Sequence, residues 1–108
     1  MASEIVIAQT SIDDETRAQA LVQGAVEARL AACCHVDGPF SATYWWQGKI
    51  EKAQEWRLSF KTTASRLPEL EAWVAREHPY EVPEWVTVPV TGGSEAYLKW
   101  VVEETTPR

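Results

Sequence analysis

The chain has no asparagine in its 108 residues, only two cysteines and one methionine, and just ten Lys and Arg against sixteen Asp and Glu. Each shortage excludes something. An acyl-phosphate hydrolase on a small α+β scaffold would want an asparagine to orient water beside an arginine phosphate clamp, and that side chain is missing. No Ser-His-Asp spacing, P-loop or HExxH stretch is present either, so the motifs do not point to an enzyme. A net charge of −6 repels phosphate backbones and disfavours nucleic acid as a partner. No apolar stretch approaches the ~20 residues needed to cross a bilayer. MASEIVIAQT lacks the basic n-region and apolar length of a signal peptide, so the expectation is a cytoplasmic protein without membrane contact. Cys33 and Cys34 are adjacent, with Cα atoms about 3.8 Å apart, closer than ordinary disulfide geometry allows, and they are read as reduced and structural.

What is present is organised around Phe40 to Thr63, FSATYWWQGKIEKAQEWRLSFKTT. From Ile50 onward apolar and polar residues alternate with a period of two, which places Trp56, Leu58 and Phe60 on one buried face of a strand. Ser41 to Trp46 is rich in aromatic and β-branched residues, and Gln47-Gly48-Lys49 supplies a turn, so the whole stretch predicts a long β-hairpin. Arms of about eight residues or more would each reach roughly 26 Å, long for a domain of this size. Trp45 and Trp46 point to opposite faces, which makes at least one of them a candidate for burial against another subunit.

The rest of the chain fits one domain over residues 1–108, its 45% apolar share enough for a single core. Glu4 to Thr10 predicts a strand covered on both faces. A helix should start near Asp13 or Asp14, with an inner face of Ala18, Leu21, Val22, Ala25, Ala28 and Ala32, and with Gly24 packed closely against the sheet. Residues 32–36 read as a short strand, punctuated by Asp37-Gly38-Pro39 before the hairpin. Pro68 opens a second helix whose stripe is Leu67, Leu70, Trp73 and Val74 and which ends near His78, ahead of Pro79. HPYEVPE is an extended loop, and Trp85 to Val90 an edge strand because of Pro89. A last helix runs from about Glu95 to Glu103 with Tyr97, Trp100 and Val101 on one face, and Thr105 to Arg108 is expected to fray. The order β, α, hairpin, α, β plus a terminal helix is an α+β class, the βαββαβ pattern of a ferredoxin-like sandwich. Leu21, Ala25, Trp56, Leu58, Phe60, Leu70 and Val74 are its expected core, and the six tryptophans are assigned to core and interface packing.

Chemistry concentrates at the second helix end. His78, Tyr80, Glu81 and Glu84, with Glu77 before them, combine imidazole and carboxylates of the kind that suit Cu(II) or Zn(II). The same residues admit a structural role in which the prolines stiffen the loop, Tyr80 packs inward and the glutamates stay solvated. Cys33 and His35 share one side of an extended segment, with Cys34 opposite, as a second, weaker ligand pair.

Several stretches, in order along most of the chain, resemble the CutA divalent-cation tolerance family. They are RLAAC at 29–33, YWWQGKIE at 44–51, KTT at 61–63, HPYEVPE at 78–84, VPVTGG at 88–93 and YLKW at 97–100. HPYEVPE joined to VPVT is the specific part. The resemblance implies a ferredoxin-like domain assembled as a homotrimer whose hairpins pair between subunits, tolerance of copper and other divalent metals, copper binding and no settled enzymatic activity. The family's copper site is attributed to a first-strand cysteine and two histidines before PYE. Here those positions carry Gln9, Glu77 and His78, so His78, assisted by Glu77 or Glu84, is the expected ligand set for Cu(II) or another divalent cation, with no organic cofactor. The alternative is a non-enzymatic small-molecule sensor or scaffold trimer with a ligand in clefts between subunits.

Overall fold

The computed structural model describes residues 4–108. Its elements are β1 (Ile5–Ile12), α1 (Glu15–Glu27), β2 (Cys33–Trp46), β3 (Lys49–Thr63), a 3-10 turn (Ala64–Arg66), α2 (Leu67–Glu77), β4 (Val86–Pro89) and α3 (Glu95–Glu104). The four strands form one antiparallel sheet in the order β2-β3-β1-β4. This is a mixed α+β fold. The hairpin turns through Gln47 and Gly48, whose φ angles of 50° and 78° are both left-handed, the two-residue geometry that matches strand twist.

The period of two in β3 sorts the side chains as expected. Leu58 and Phe60, with Ala8 and Ile12 of β1, pack against Ala18, Leu21 and Ala25 of α1 and Leu70 and Val74 of α2; Trp56 is half-buried against the same cluster. Lys61, one residue on from Phe60, points the other way and lies beneath Tyr97 of α3, its Nζ 5.4 Å from the ring centroid. The third helix therefore crosses the opposite side of the sheet, anchored by fully buried Val101 and by Arg29, whose guanidinium meets the Glu104 carboxylate at 3.0 Å.

Both long helices begin as their sequences dictate: the Asp14 side chain accepts from the Arg17 amide to cap α1, and Pro68 occupies the first turn of α2. Four expectations need correction. Asp37-Gly38-Pro39 bends β2 instead of ending it, so the strand runs unbroken for 14 residues with a register shift between Asp37 and Phe40. Helix α1 stops at Glu27 because Arg29 turns left-handed at φ 59°, which leaves Ala28 exposed and sends Leu30 and Ala31 into the core. Thr105 does not fray: it is 2% exposed and its hydroxyl donates to the Val101 carbonyl at 2.8 Å. Gly24 faces α2 and not the sheet, and a Cβ there would overlap the Trp73 ring. The Trp73 indole N–H donates to the Leu21 carbonyl at 3.4 Å, which holds the ring in place.

In an open helix Gly→Ala gains up to about 1 kcal/mol. Here the sign reverses: Gly24→Ala should cost about 1–3 kcal/mol, the range for overpacking a filled site. Urea unfolding of the variant measures this, and a stabilised Gly24→Ala would mean that the Trp73 ring does not occupy the position over Gly24.

Candidate functional site

The site forms where α2 runs out. Pro79 keeps His78 extended, at ψ 134°, so the chain leaves the helix and doubles back under the hairpin. His78 is 6% exposed, and both ring nitrogens are occupied: Nε2–H donates to the Ser11 carbonyl at 2.8 Å, and Nδ1 accepts from the Tyr80 amide at 3.1 Å. The Tyr80 ring meets the imidazole edge-on at 4.7 Å, and its hydroxyl donates to the Glu55 carboxylate at 2.7 Å. Glu55 is 5% exposed.

The electrostatics follow from this chain of bonds. Burial holds the His78 imidazole below its usual pKa, against the opposing pull of the Ser11 bond and the nearby Glu55 and Asp13 charges, so the ring is neutral at pH 7. Burial first, and then the bond to Glu55, push the Tyr80 phenol up, so it stays a donor. Glu55 is aimed by the bend in β2. Across the shift the pairing becomes Phe40↔Glu55, Ala42↔Ala53 and Tyr44↔Glu51, which brings Ala42, Tyr44 and Trp46 onto the face of Glu55. Gly38 allows the bend: at φ 145°, a Cβ there would sit 2.9 Å from the Glu55 carbonyl oxygen.

A cleft of about 590 Å³ opens beside the Tyr80–Glu55 pair, between the hairpin and the 80–84 loop. Its walls include Tyr44, Trp45 and Trp46 on one side and Glu81, Val82 and Glu84 on the other.

The structure does not bring the expected metal ligands together. Among the described residues no three or more His, Cys, Asp or Glu side chains are placed to hold one ion. His78 has no free lone pair, Glu77 is exposed near Arg76 at 3.8 Å, and Glu84 lines the cleft. Gln9 sits in the middle of the sheet and donates to Ser59 Oγ at 3.3 Å. The arrangement matches the structural alternative, with Tyr80 turned inward and both His78 nitrogens already bonded. Cys33 and His35 do share a side, Sγ to Nε2 3.8 Å, while Cys34 lies half-buried against the core with its thiol pushed up to about 12 by burial. Glu55, Asp13 and Tyr44 escaped sequence reasoning because only the bend and a 25-residue span join Glu55 to Tyr80.

Comparison with known proteins now decides the family. The family model described as CutA1 divalent ion tolerance protein matches residues 6–104. The chain belongs to the CutA family. The divalent-cation tolerance protein CutA of Thermus thermophilus is 38% identical over 95 residues, covering 88% of this chain and 92% of that protein. Protein CutA of Homo sapiens is 39% identical over 92 residues, 85% of this chain but 51% of its own length, so the chain spans about half of that relative. The structure of CutA from Synechococcus elongatus superposes with a TM-score of 0.91 at 36% identity, covering 97% of this chain and 93% of that one.

The sign of the His78 shift makes a prediction. Above about pH 6.5, where the unfolded histidine is neutral, the folded and unfolded rings bind no proton and the stability contribution is complete. As pH falls below that value the unfolded state takes up a proton first, so stability declines toward the lower folded pKa. Urea midpoints from pH 7.5 to 5 should show this slope in the parent protein and a flatter one in His78→Gln; equal slopes would mean that the imidazole is not held neutral.

Proposed function

We infer that this CutA-family protein serves divalent-cation tolerance as a homotrimer of ferredoxin-like subunits, without catalytic activity. The family is named for ion tolerance and not for a reaction. The strand order β2-β3-β1-β4, with α1 and α2 on one face, supports the ferredoxin-like assignment.

One observation carries the assembly: the hairpin outruns its own domain. The chain measures 47 × 26 × 22 Å, with Trp45 72% and Ile50 59% exposed at the hairpin end. Edge strand β4 is exposed throughout, with Val86 and Val88 uncovered, and Tyr97 and Trp100 of α3 are open on the same molecule. Pairing of hairpins between subunits would satisfy the free strand edges and bury these side chains together.

Metal binding belongs to this reading in a weak form. An ion at His78 would have to displace the Ser11 or the Tyr80 hydrogen bond, and Glu77 and Glu84 add exposed carboxylates with little preorganisation. A second reading, a non-enzymatic sensor or scaffold holding a small ligand, is favoured by the cleft beside Glu55.

Light scattering on the purified protein is expected to give three times the 12.2 kDa chain mass, and a monomer at micromolar concentration would end the trimer reading. Calorimetry with Cu(II) on His78→Ala and His35→Ala separates the metal sites. Loss in the first keeps the 77–84 loop in the metal account. Unchanged binding in the first with loss in the second moves copper to the Cys33–His35 pair.

A further inference from the structure

Cys33, Cys34 and His35 open β2, at the opposite end of that strand from the hairpin tip. Alternation along the strand divides them: Cys34 and Val36 pack against the core, while Cys33 and His35 share the other face. The two thiols therefore differ in kind. Burial, with the neighbouring Cys33 adding to it, pushes the Cys34 thiol up to about 12, which keeps it protonated and out of coordination chemistry. The Cys33 sulfur instead has His35 Nε2 at 3.8 Å. Both residues sit on paired backbone, Cys33 opposite Lys61 and His35 opposite Ser59, so the sheet holds the two donors side by side.

The number of donors decides which ion suits the pair. Among the described residues no third His, Cys, Asp or Glu is placed to join them. Zn(II) closes a tetrahedral set of nitrogen and sulfur ligands, Cu(II) a tetragonal set of nitrogens and oxygens, and Ca(II) or Mg(II) a fuller shell of oxygens. One thiolate and one imidazole leave each of these ions under-coordinated. A soft monovalent ion, Cu(I) or Ag(I), is content with two donors, and thiolate is the ligand that selects Cu(I). Bonds of about 2.3 Å to sulfur and about 2.0 Å to nitrogen, the lengths found at zinc, bridge a gap of 3.8 Å in a bent two-coordinate arrangement.

We propose that Cys33 and His35 form a two-coordinate site for a soft monovalent metal ion, Cu(I) or Ag(I), at the start of β2. On binding, the Cys33 thiol releases its proton to solvent as the sulfur–metal bond forms, and the His35 Nε2 lone pair makes the second bond. Neither donor nor ion changes oxidation state. The metal takes the place between the same two atoms that a thiol proton occupies in the metal-free pair. This site stands apart from the divalent reading of the 77–84 loop and holds whether or not His78 takes Cu(II). Its selectivity also runs the other way, because a divalent ion finds too few donors here.

The probe is Cu(I), presented to the reduced full-length protein under nitrogen as its coloured bicinchoninate complex, with loss of colour reading transfer to the protein. Zn(II) is titrated separately by calorimetry. Transfer of one Cu(I) per chain is expected, with Zn(II) bound far more weakly. Cys33→Ser and His35→Ala should each weaken Cu(I) binding at least about tenfold, since even an outer partner of a metal ligand is worth roughly 10–100-fold, while Cys34→Ala should not. Both ligand substitutions lie on the face away from the core, and Cys33→Ser keeps the size of the side chain. Equal affinity in the parent and in His35→Ala would overturn the pair, since any thiol alone would then account for the transfer. Loss in Cys34→Ala with retention in Cys33→Ser would place the thiolate on the wrong residue, and Zn(II) bound as tightly as Cu(I) would overturn the two-coordinate assignment. Failure of Cu(I) to transfer at all would end the proposal without touching the Cu(II) result at His78.

Discussion

The hydrogen bond from Tyr80 to the buried Glu55 carboxylate is the constraint on which the site depends. At 2.7 Å it joins the loop after α2 to the middle of β3, and through the Tyr80 amide and the His78 ring it continues to the carbonyl of Ser11 at the end of β1. Three segments distant in sequence are thus tied by one short chain of donors and acceptors. Burying a carboxylate is unfavourable unless its lone pairs are met, so the loop is drawn to Glu55 and fixed there. Pro79 and Pro83 limit the loop's alternatives, and the bend at Gly38-Pro39 turns the hairpin so that Tyr44 and Trp46 share the Glu55 face.

Much of this architecture is legible in the sequence, for physical reasons. Alternation in β3 and the three- and four-residue steps in α1 and α2 report burial directly, so the seven expected core residues do pack into or against one cluster. Caps at Asp14 and Ser94 are equally local signals. Other features depend on what lies across the fold. Asp37-Gly38-Pro39 has the composition of a strand end, and only its pairing with β3 makes it a bend within one strand. His78 stands out as a candidate ligand by residue type, but its role is set by Ser11, 67 residues away. The tail looks free until Thr105 is seen folded back onto the last turn of α3.

The hairpin tip, where Trp45 is 72% exposed, also forms one wall of the acidic cleft. Family membership explains the shared fold and the motif string. Gln9 is bonded within the sheet and the His78 imidazole is already spent on two hydrogen bonds, so the local geometry and not residue type decides what these side chains do.

A double-mutant cycle between Glu55→Ala and Tyr80→Phe, read by urea unfolding, measures the strength of the Tyr80–Glu55 hydrogen bond. A hydrogen bond to a charged buried group is worth about 1.5–3 kcal/mol, and the cycle should return a coupling energy in that range. Additive effects, with coupling below about 0.5 kcal/mol, would contradict the account, because the loop and the hairpin would then be held by something other than the Tyr80–Glu55 bond.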